Sequence, residues 1–152
     1  MSKAIEIISD SAEKTFEIGK RIGALLEPGK VVCLTGPLGS GKTTLIKGIA
    51  VGAGANKPEQ VNSPTFVIVN EYQGRFNIFH IDAYRINTIA EFEALGFEEF
   101  IWPESVVLIE WADKVAGALK GLDCIYIDMQ HSRETSRKMR ITGLKNAEML
   151  KI

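Results

Sequence analysis

Residues 36–43 read GPLGSGKT and match the phosphate-binding loop pattern G-x-x-x-x-G-K-[ST]. Glycines in such a loop let backbone amides turn towards phosphate oxygens without a clash from a Cβ atom. A helix that begins directly after the loop points its free N–H groups and the positive end of its dipole at the anion. We therefore expect Lys42 to bridge the β- and γ-phosphates of a nucleotide and the Thr43 hydroxyl to bind Mg²⁺.

The nucleotide is predicted to be ATP. A guanine-specific protein of this kind would need an Asn-Lys-x-Asp segment at the end of a later strand. Residues 56–59 read NKPE, which lies just after the first helix that follows the loop and carries Glu in place of Asp. The GTPase interpretation is therefore rejected, and the motifs do not identify the residues that would contact adenine.

A second acidic group follows an apolar run. Residues 106–109 read VVLI and Glu110 comes next, which is typical of a buried strand that ends in a carboxylate. In phosphate-loop proteins an acid at the carboxyl end of a central strand organises Mg²⁺ and its waters. The acid is usually Asp, and the longer Glu could instead orient the attacking water. An ordinary solvent-facing Glu is the alternative without a function.

Residues 80–85 read HIDAYR and form the next cluster. Strand alternation places His80 and Asp82 on one face, and His80 by itself is interpreted as a half-buried strand histidine. If a hairpin turns at residues 73–74, Thr65 lies directly opposite Asp82, where Cβ atoms are about 4.5–5.5 Å apart. The pair could then hold a metal-bound water or sense a γ-phosphate. In the alternative interpretation, Asp82 caps a turn and Thr65 only begins a strand.

One dense basic segment contains Arg133, Arg137, Lys138 and Arg140. Its guanidinium groups could clamp a phosphoryl group that is being transferred, or they could be ordinary solvated charges. Trp111 directly follows the strand-ending acid. Its indole could stack on or gate a nucleotide, and it could equally serve as core filler.

The elements that must position these groups follow from hydrophobic periodicity and from turn residues. Early strands alternate with helices and hairpins follow, so we predict an α/β fold: a P-loop nucleoside-triphosphate hydrolase-like three-layer domain with a mixed parallel/antiparallel sheet. The predicted elements are a helix over 11–27, a strand over 30–35, a helix over 43–54, a surface loop over 55–64, strands over 65–72 and 75–82, a helical region over 87–100 broken near Gly96, a strand over 105–111, a short helix over 114–119, and strands over 123–129 and 138–142.

Composition limits the possible classes. The chain has 152 residues, of which 45% are hydrophobic, and a net charge of −1. This length favours one domain over residues 1–152, and no apolar run approaches the roughly 18 residues of a membrane span. The N-terminus lacks the pattern of a signal peptide, so we expect a cytoplasmic protein without a membrane. The near-zero charge argues against sequence-independent binding to nucleic acid, so any contact with RNA is expected to be indirect or to depend on a small local patch.

Four segments occur in one order: GPLGSGKTT at 36–44, SPTF at 63–66, HIDAYR at 80–85 and LIEW at 108–111. This ordered set resembles the TsaE (YjeE) family of small bacterial P-loop ATPases over about residues 11–140. The resemblance implies a role in making threonylcarbamoyladenosine on tRNAs that read codons beginning with A. It also implies work with a complex of two partner proteins, TsaD and TsaB, which would handle the tRNA.

The resemblance further implies roles for single residues. Lys42 resembles the family's phosphate lysine, and Thr43 and Glu110 resemble its metal-site residues. Asp82 matches an acid thought to serve hydrolysis, and Thr65 falls in a segment that resembles a switch. The residues implied to bind the nucleotide are Ser11, Gly36, Gly39, Ser40, Gly41, Lys42, Thr43, Thr44, Trp111 and Arg137.

The leading hypothesis is therefore a Mg²⁺-dependent ATPase that is slow alone and faster with its partner complex. A small-molecule or nucleoside kinase is the first alternative, with Asp82 as base and the arginines of the basic segment as a lid. Against it, no long insertion supplies a substrate-binding lid. A nucleotide-gated binding module, in which hydrolysis is not essential, is the second alternative.

Overall fold

The computed structural model describes residues 4–37, 39–56, 69–100, 104–133 and 135–150. The strands are β1 Ile5–Ser9, β2 Val31–Thr35, β3 Val69–Gln73, β4 Asn77–Asp82, β5 Ser105–Glu110, β6 Cys124–His131 and β7 Arg137–Thr142. The α-helices are α1 Ala12–Leu25, α2 Lys42–Gly52, α3 Ile89–Ala94 and α4 Phe97–Phe100, and 3₁₀ helices cover Ala112–Leu119 and Ala147–Leu150. None of the helices within these ranges has both the length and the apolar character that a membrane span requires.

The described strands form a seven-stranded sheet in the order β1-β7-β6-β2-β5-β4-β3. β2 runs parallel to β5 and β6, and β4 runs parallel to β5, whereas β1–β7, β6–β7 and β3–β4 are antiparallel pairs. The predicted α/β fold with a mixed sheet is therefore confirmed. Because β2, β4 and β5 are parallel neighbours, their carboxyl ends meet at one edge of the sheet, which holds Asp82 and Glu110.

Helices cover both faces of the sheet. α1 and α2 pack over one face, where β2 and β5 contribute Val32, Leu34, Val106 and Leu108 to the core. α3, α4 and the 3₁₀ helix Ala112–Leu119 pack over the opposite face. Every residue of β5 is buried, as the unbroken apolar run in the sequence predicts for a strand covered on both sides.

The two helices on the first face approach each other at backbone distance. A Cβ atom on Gly23 of α1 would lie 2.1 Å from Ile49 O, and one on Gly48 of α2 would lie 2.3 Å from Phe16 O. No side chain other than hydrogen fits at either position, because real Cβ contacts do not occur at such distances. This close packing fixes α2, and with it the residues at the start of α2, relative to the sheet.

The β3–β4 hairpin differs from the prediction. Gln73 pairs with Asn77, so the connection spans residues 74–76 and is not the predicted turn at residues 73–74. The Arg75 guanidinium explains the longer connection, because it donates to carbonyl oxygens of α2 (2.8 Å) and α1 (2.9 Å). The two-residue turn that the local sequence suggested was therefore wrong. Local sequence gives no sign of these contacts, because α1 and α2 are distant from Arg75 in the chain.

The new register changes the expectation for Thr65. Val69 pairs with Ile81 in the observed hairpin, which shifts every partner relative to the predicted pairing. The placement of Thr65 opposite Asp82 rested on the predicted register and therefore loses its basis. Thr65 itself lies outside the described residues.

The other predicted elements have mixed outcomes. The helices over 11–27 and 43–54 and the break near Gly96 are confirmed, with ends that differ by a few residues. β1 was not predicted, because its five residues present only Ile7 and Ser9 as buried positions. Most of the loop over 55–64 lies outside the described residues.

Candidate functional site

The phosphate-binding loop joins β2 to α2, which begins at Lys42. Gly36, Gly39 and Gly41 adopt positive φ angles of 139°, 78° and 98°, a region that side chains rarely tolerate. At Gly36 a Cβ atom would also lie 2.3 Å from Met129 O. Gly41 is the N-cap of α2 and offers no side chain to the first N–H groups of the helix. The start of α2 therefore has the arrangement that the motif predicts for binding an anion.

The Lys42 side chain folds back over the loop. Its Nζ donates to the carbonyl oxygens of residues 36 and 37, at 2.6 and 2.9 Å, and to Ser40 Oγ at 3.3 Å. It also lies 4.0 Å from the centroid of the Trp111 ring. Burial lowers the pKa of Lys42, and the nearby charge of Glu110 opposes that shift. The loop thus holds a cation at the place where phosphate oxygens would bind.

Glu110 ends β5 and is only 3% exposed. Its Oε2 lies 2.8 Å from His80 Nε2, and its Oε1 accepts a long hydrogen bond of 3.4 Å from Thr43 Oγ1. The structure therefore brings together the two residues predicted for the metal site. It also corrects the interpretation of His80, which is completely buried instead of half-buried.

Thr43 and Glu110 supply a hydroxyl and a carboxylate, which are the oxygen donors that Mg²⁺ prefers. The described residues contain no group of three or more His, Cys, Asp or Glu side chains that could hold a metal ion. Mg²⁺ does not need one, because it is commonly held by one or two protein oxygens, substrate phosphates and water. The donor chemistry at this point fits Mg²⁺ bound together with a nucleotide.

Asp82 ends β4 and is the register partner of Glu110. Its Oδ1 accepts a hydrogen bond from Tyr84 N at 3.0 Å, so the turn-capping alternative describes part of its role. Burial raises the pKa of Asp82, the hydrogen bond from Tyr84 opposes the shift, and the charge of Glu110 adds to it. The same carboxylate also lines the cavity beside Lys42.

Two aromatic rings form one rim of the cavity. Trp111 has a positive φ of 60°, an uncommon conformation for a bulky residue, and its ring centroid lies 5.0 Å from that of Tyr84. Lys114 lies with its Nζ 5.0 Å from the Tyr84 ring and donates to Tyr84 O. Tyr84 is 49% exposed and received no role from the sequence, although it belongs to the HIDAYR segment.

The basic segment contributes one arginine to the site. Arg137 donates to Gly39 O at 3.3 Å and lines the cavity, whereas Arg133 and Arg140 do not line it. The predicted clamp of three arginines therefore narrows to one. Ser11, the N-cap of α1, lines the same cavity from the other side.

Many of these residues border one cavity of about 440 Å³. Its lining residues are Ser11, Ala12, Thr15, Gly39, Gly41, Lys42, Thr43, Thr44, Asp82, Tyr84, Glu110, Trp111, Thr135 and Arg137. Of the residues predicted to bind the nucleotide, Gly36 and Ser40 are outside this lining and instead contact Lys42. Ala12, Thr15 and Thr135 were missed, because no local motif marks a small side chain that only borders a cavity.

Comparison with known proteins agrees with the motif order. The family model described as "Threonylcarbamoyl adenosine biosynthesis protein TsaE" matches residues 9–139. The TsaE protein of Aquifex aeolicus is 36% identical over 90% of this chain and 94% of its own length. The TsaE protein of Bacillus subtilis is 38% identical over 91% of this chain and 85% of its own length.

A solved structure gives the same result for the fold. The crystal structure of Bacillus subtilis YdiB superposes with a TM-score of 0.76 at 31% sequence identity, and the match covers 99% of this chain and 93% of that chain. The predicted P-loop fold and the resemblance drawn from the four ordered segments are both confirmed. The chain therefore belongs to the TsaE family, whose members are named as proteins of tRNA threonylcarbamoyladenosine biosynthesis.

Proposed function

We propose that this protein is a Mg²⁺-dependent ATPase that serves as an accessory in threonylcarbamoyladenosine modification of tRNA. The observation that carries the proposal is that Lys42, Thr43, Glu110 and Asp82 line the same cavity at the carboxyl edge of the sheet. A phosphate lysine, two candidate metal ligands and a further carboxylate are the parts that nucleoside-triphosphate hydrolysis requires.

The loop and α2 bind the triphosphate in this proposal. Gly41 has no side chain that could accept a hydrogen bond from the N–H groups at the start of α2, and Thr43 and Thr44 line the same cavity as Lys42. Phosphate oxygens replace the loop carbonyls that Lys42 Nζ now contacts at 2.6 and 2.9 Å. An ammonium–phosphate contact is stronger than one between an ammonium and a neutral carbonyl, so this exchange favours binding.

Thr43 and Glu110 hold Mg²⁺ in this proposal. The ion supplies neutralisation of charge on the phosphate oxygens when it is bound. Glu110 presents a carboxylate that is already directed towards the Thr43 hydroxyl, so little side-chain freedom is lost on binding.

Asp82 orients the attacking water. One of its oxygens is held by Tyr84 N, and the carboxylate lines the cavity on the side of β4, next to Glu110 across the sheet. In phosphoryl transfer the enzyme supplies mainly positioning and electrostatic stabilisation, which a carboxylate that accepts a hydrogen bond from water provides. Arg137 and Trp111 border the bound nucleotide and restrict its position.

The partner part of the proposal rests on family membership and charge. TsaD and TsaB form the complex with which this ATPase acts, and they hold the tRNA. The net charge of −1 is consistent with such a division, because a protein that bound tRNA directly would need a basic face. ATP turnover by this chain then supports repeated cycles of the partner complex.

The test is ATP hydrolysis by the purified protein, with and without purified TsaD and TsaB. We expect slow hydrolysis alone, stimulation by the two partners, and a loss of about 100-fold in Lys42→Ala, since one preorganised donor to a charged transition state is worth this much. Lys47→Ala is the matched control, because Lys47 lies on the same helix and outside the cavity. Unchanged hydrolysis in Lys42→Ala, or full turnover without partners, would contradict the proposal.

A further inference from the structure

The contact between His80 and Glu110 connects the core of the sheet to the site. His80 Nε2 lies 2.8 Å from Glu110 Oε2, and the two side chains are 0% and 5% exposed. Because a carboxylate oxygen accepts and a ring N–H donates, we assign the shared hydrogen to His80 Nε2. This is a fully desolvated hydrogen bond between neighbouring parallel strands.

The position of His80 makes this contact unusual. His80 lies on β4 and its register partner on β5 is Leu108, while Ile78 precedes it on the same face. Its Nδ1 atom has no hydrogen-bond partner among the described residues. Burying an imidazole costs free energy that an aliphatic side chain would not cost. Packing alone therefore does not account for a histidine at this point.

The hydrogen bond determines which way the Glu110 carboxylate points. His80 occupies Oε2, and Oε1 then faces the hydroxyl of Thr43 at 3.4 Å. Without His80, the carboxylate has a competing partner, because the charge of Glu110 acts more strongly on the pKa of the Lys42 ammonium than the charge of Asp113 or Asp82 does. If the Glu110 side chain turned towards Lys42, the carboxylate could no longer bind Mg²⁺ and the ammonium could no longer bind phosphate.

We propose that His80 is a positioning residue that holds Glu110 towards Thr43 and keeps it from pairing with Lys42, so that the carboxylate is preformed as a Mg²⁺ ligand. The inference rests on the metal role proposed above for Glu110. Residues that hydrogen-bond a metal ligand in this way typically affect metal affinity by about 10- to 100-fold.

The variants are chosen by the atom that they retain. The amide nitrogen of Gln is as many bonds from Cβ as Nε2 of His, so His80→Gln keeps a donor near Glu110. The amide of Asn is one bond shorter, so His80→Asn lacks that donor, and His80→Leu fills the space without any donor. His131→Leu is the control, because His131 is exposed at the end of β6.

The measurement is ADP binding by calorimetry with and without Mg²⁺, which does not depend on turnover. We expect His80→Leu to reduce the gain in affinity from Mg²⁺ by about tenfold and to leave Mg²⁺-free binding unchanged. His80→Gln should recover most of the gain, and His131→Leu should match the wild type. If His80→Leu does not fold, the same contrast between His80→Gln and His80→Asn decides the question.

Three results would overturn the proposal, and Glu110→Gln shows whether the metal assignment fails as well. If Glu110→Gln abolishes the Mg²⁺ effect while the His80 variants retain it, or if the His80 variants weaken binding equally with and without Mg²⁺, His80 has no positioning role and the proposed function stands. If Glu110→Gln itself retains the full Mg²⁺ effect, the metal assignment fails, and the role of His80 fails with it.

Discussion

The ends of β4 and β5 carry two carboxylates that are direct neighbours in the sheet but have opposite surroundings. Glu110 on β5 is 3% exposed and has His80 on one oxygen and Thr43 on the other. Asp82 on β4 is half-buried, borders the cavity and accepts one backbone hydrogen bond from Tyr84. Both carboxylate oxygens of Glu110 are held by side chains, which suits a preformed metal ligand. Asp82 is held through one oxygen, which suits a group that must adjust its position to a water molecule. Under the proposed function, the end of β5 would therefore serve metal binding and the end of β4 would serve hydrolysis.

The largest effect is expected at the fixed carboxylate. Glu110→Gln keeps the size of the side chain but removes its charge, so we expect kcat to fall by about 100- to 1,000-fold and the Mg²⁺ concentration for half-maximal rate to rise. Steady-state ATP hydrolysis across a Mg²⁺ titration measures both changes. Glu71→Gln, at an exposed position of β3, is the control. A decrease in kcat of less than threefold would contradict the role of Glu110 as a preformed metal ligand.

Asp82→Asn should separate hydrolysis from binding. The amide can still border the cavity but orients water poorly, so we expect kcat to fall by about 100-fold with nucleotide affinity and its Mg²⁺ dependence unchanged. Single-turnover hydrolysis and calorimetric ADP binding are the measurements. A complementation assay for tRNA modification adds a second readout: loss of modification with intact ATP binding excludes the nucleotide-gated module in which hydrolysis is not essential. If Asp82→Asn weakened Mg²⁺ binding, Asp82 would act as a metal ligand together with Glu110 and not only in hydrolysis.

Much of the fixed region could be predicted, because its signals are contiguous in the chain. Residues 36–43 contain the loop, the phosphate lysine and the hydroxyl in one motif, and the apolar run that ends at Glu110 predicts a buried strand with a terminal acid. These features depend on local backbone conformation and on burial. They required no knowledge of which strands are neighbours, apart from the parallel order typical of the motif.

The relations between strands could not be predicted in the same way. The contact of His80 with Glu110 joins residues 30 positions apart and depends on β4 lying next to β5. The connection between β3 and β4 carries Arg75, whose guanidinium donates to carbonyl oxygens of both α1 and α2. A shifted register moves every cross-strand partner, which is why the pairing of Thr65 with Asp82 loses its basis.

The fixed carboxylate also depends on the place of α2, which carries Thr43. Gly48→Ala would put a Cβ atom 2.3 Å from Phe16 O, so α1 and α2 must move apart. We expect the free energy of unfolding to fall by about 2 kcal/mol and the Mg²⁺ requirement to rise. Urea unfolding and the Mg²⁺ titration test this. Gly117→Ala is the control on the other face, where the new Cβ meets only the flexible end of Ile89. If both variants lost the same stability and showed the same change in Mg²⁺ requirement, the position of α2 would have no special role in metal binding.

The smallest effect is expected in the pH dependence of stability, measured without nucleotide or metal. Burial raises the pKa of Asp82 above its ordinary value of 3.8, with a further contribution from Glu110. Between pH 3.8, the pKa of Asp82 in the unfolded chain, and its higher pKa in the folded chain, the folded chain holds the Asp82 proton more tightly. The free energy of unfolding therefore falls as pH rises through that interval. Asp82→Asn should remove this part of the slope, and its stability relative to the wild type should grow with pH and then level off. Glu110→Gln should narrow the interval, because the charge beside Asp82 is gone. Urea unfolding curves at several pH values test both changes, and identical slopes in all three proteins would mean that the half-buried carboxylate is solvated like an exposed one.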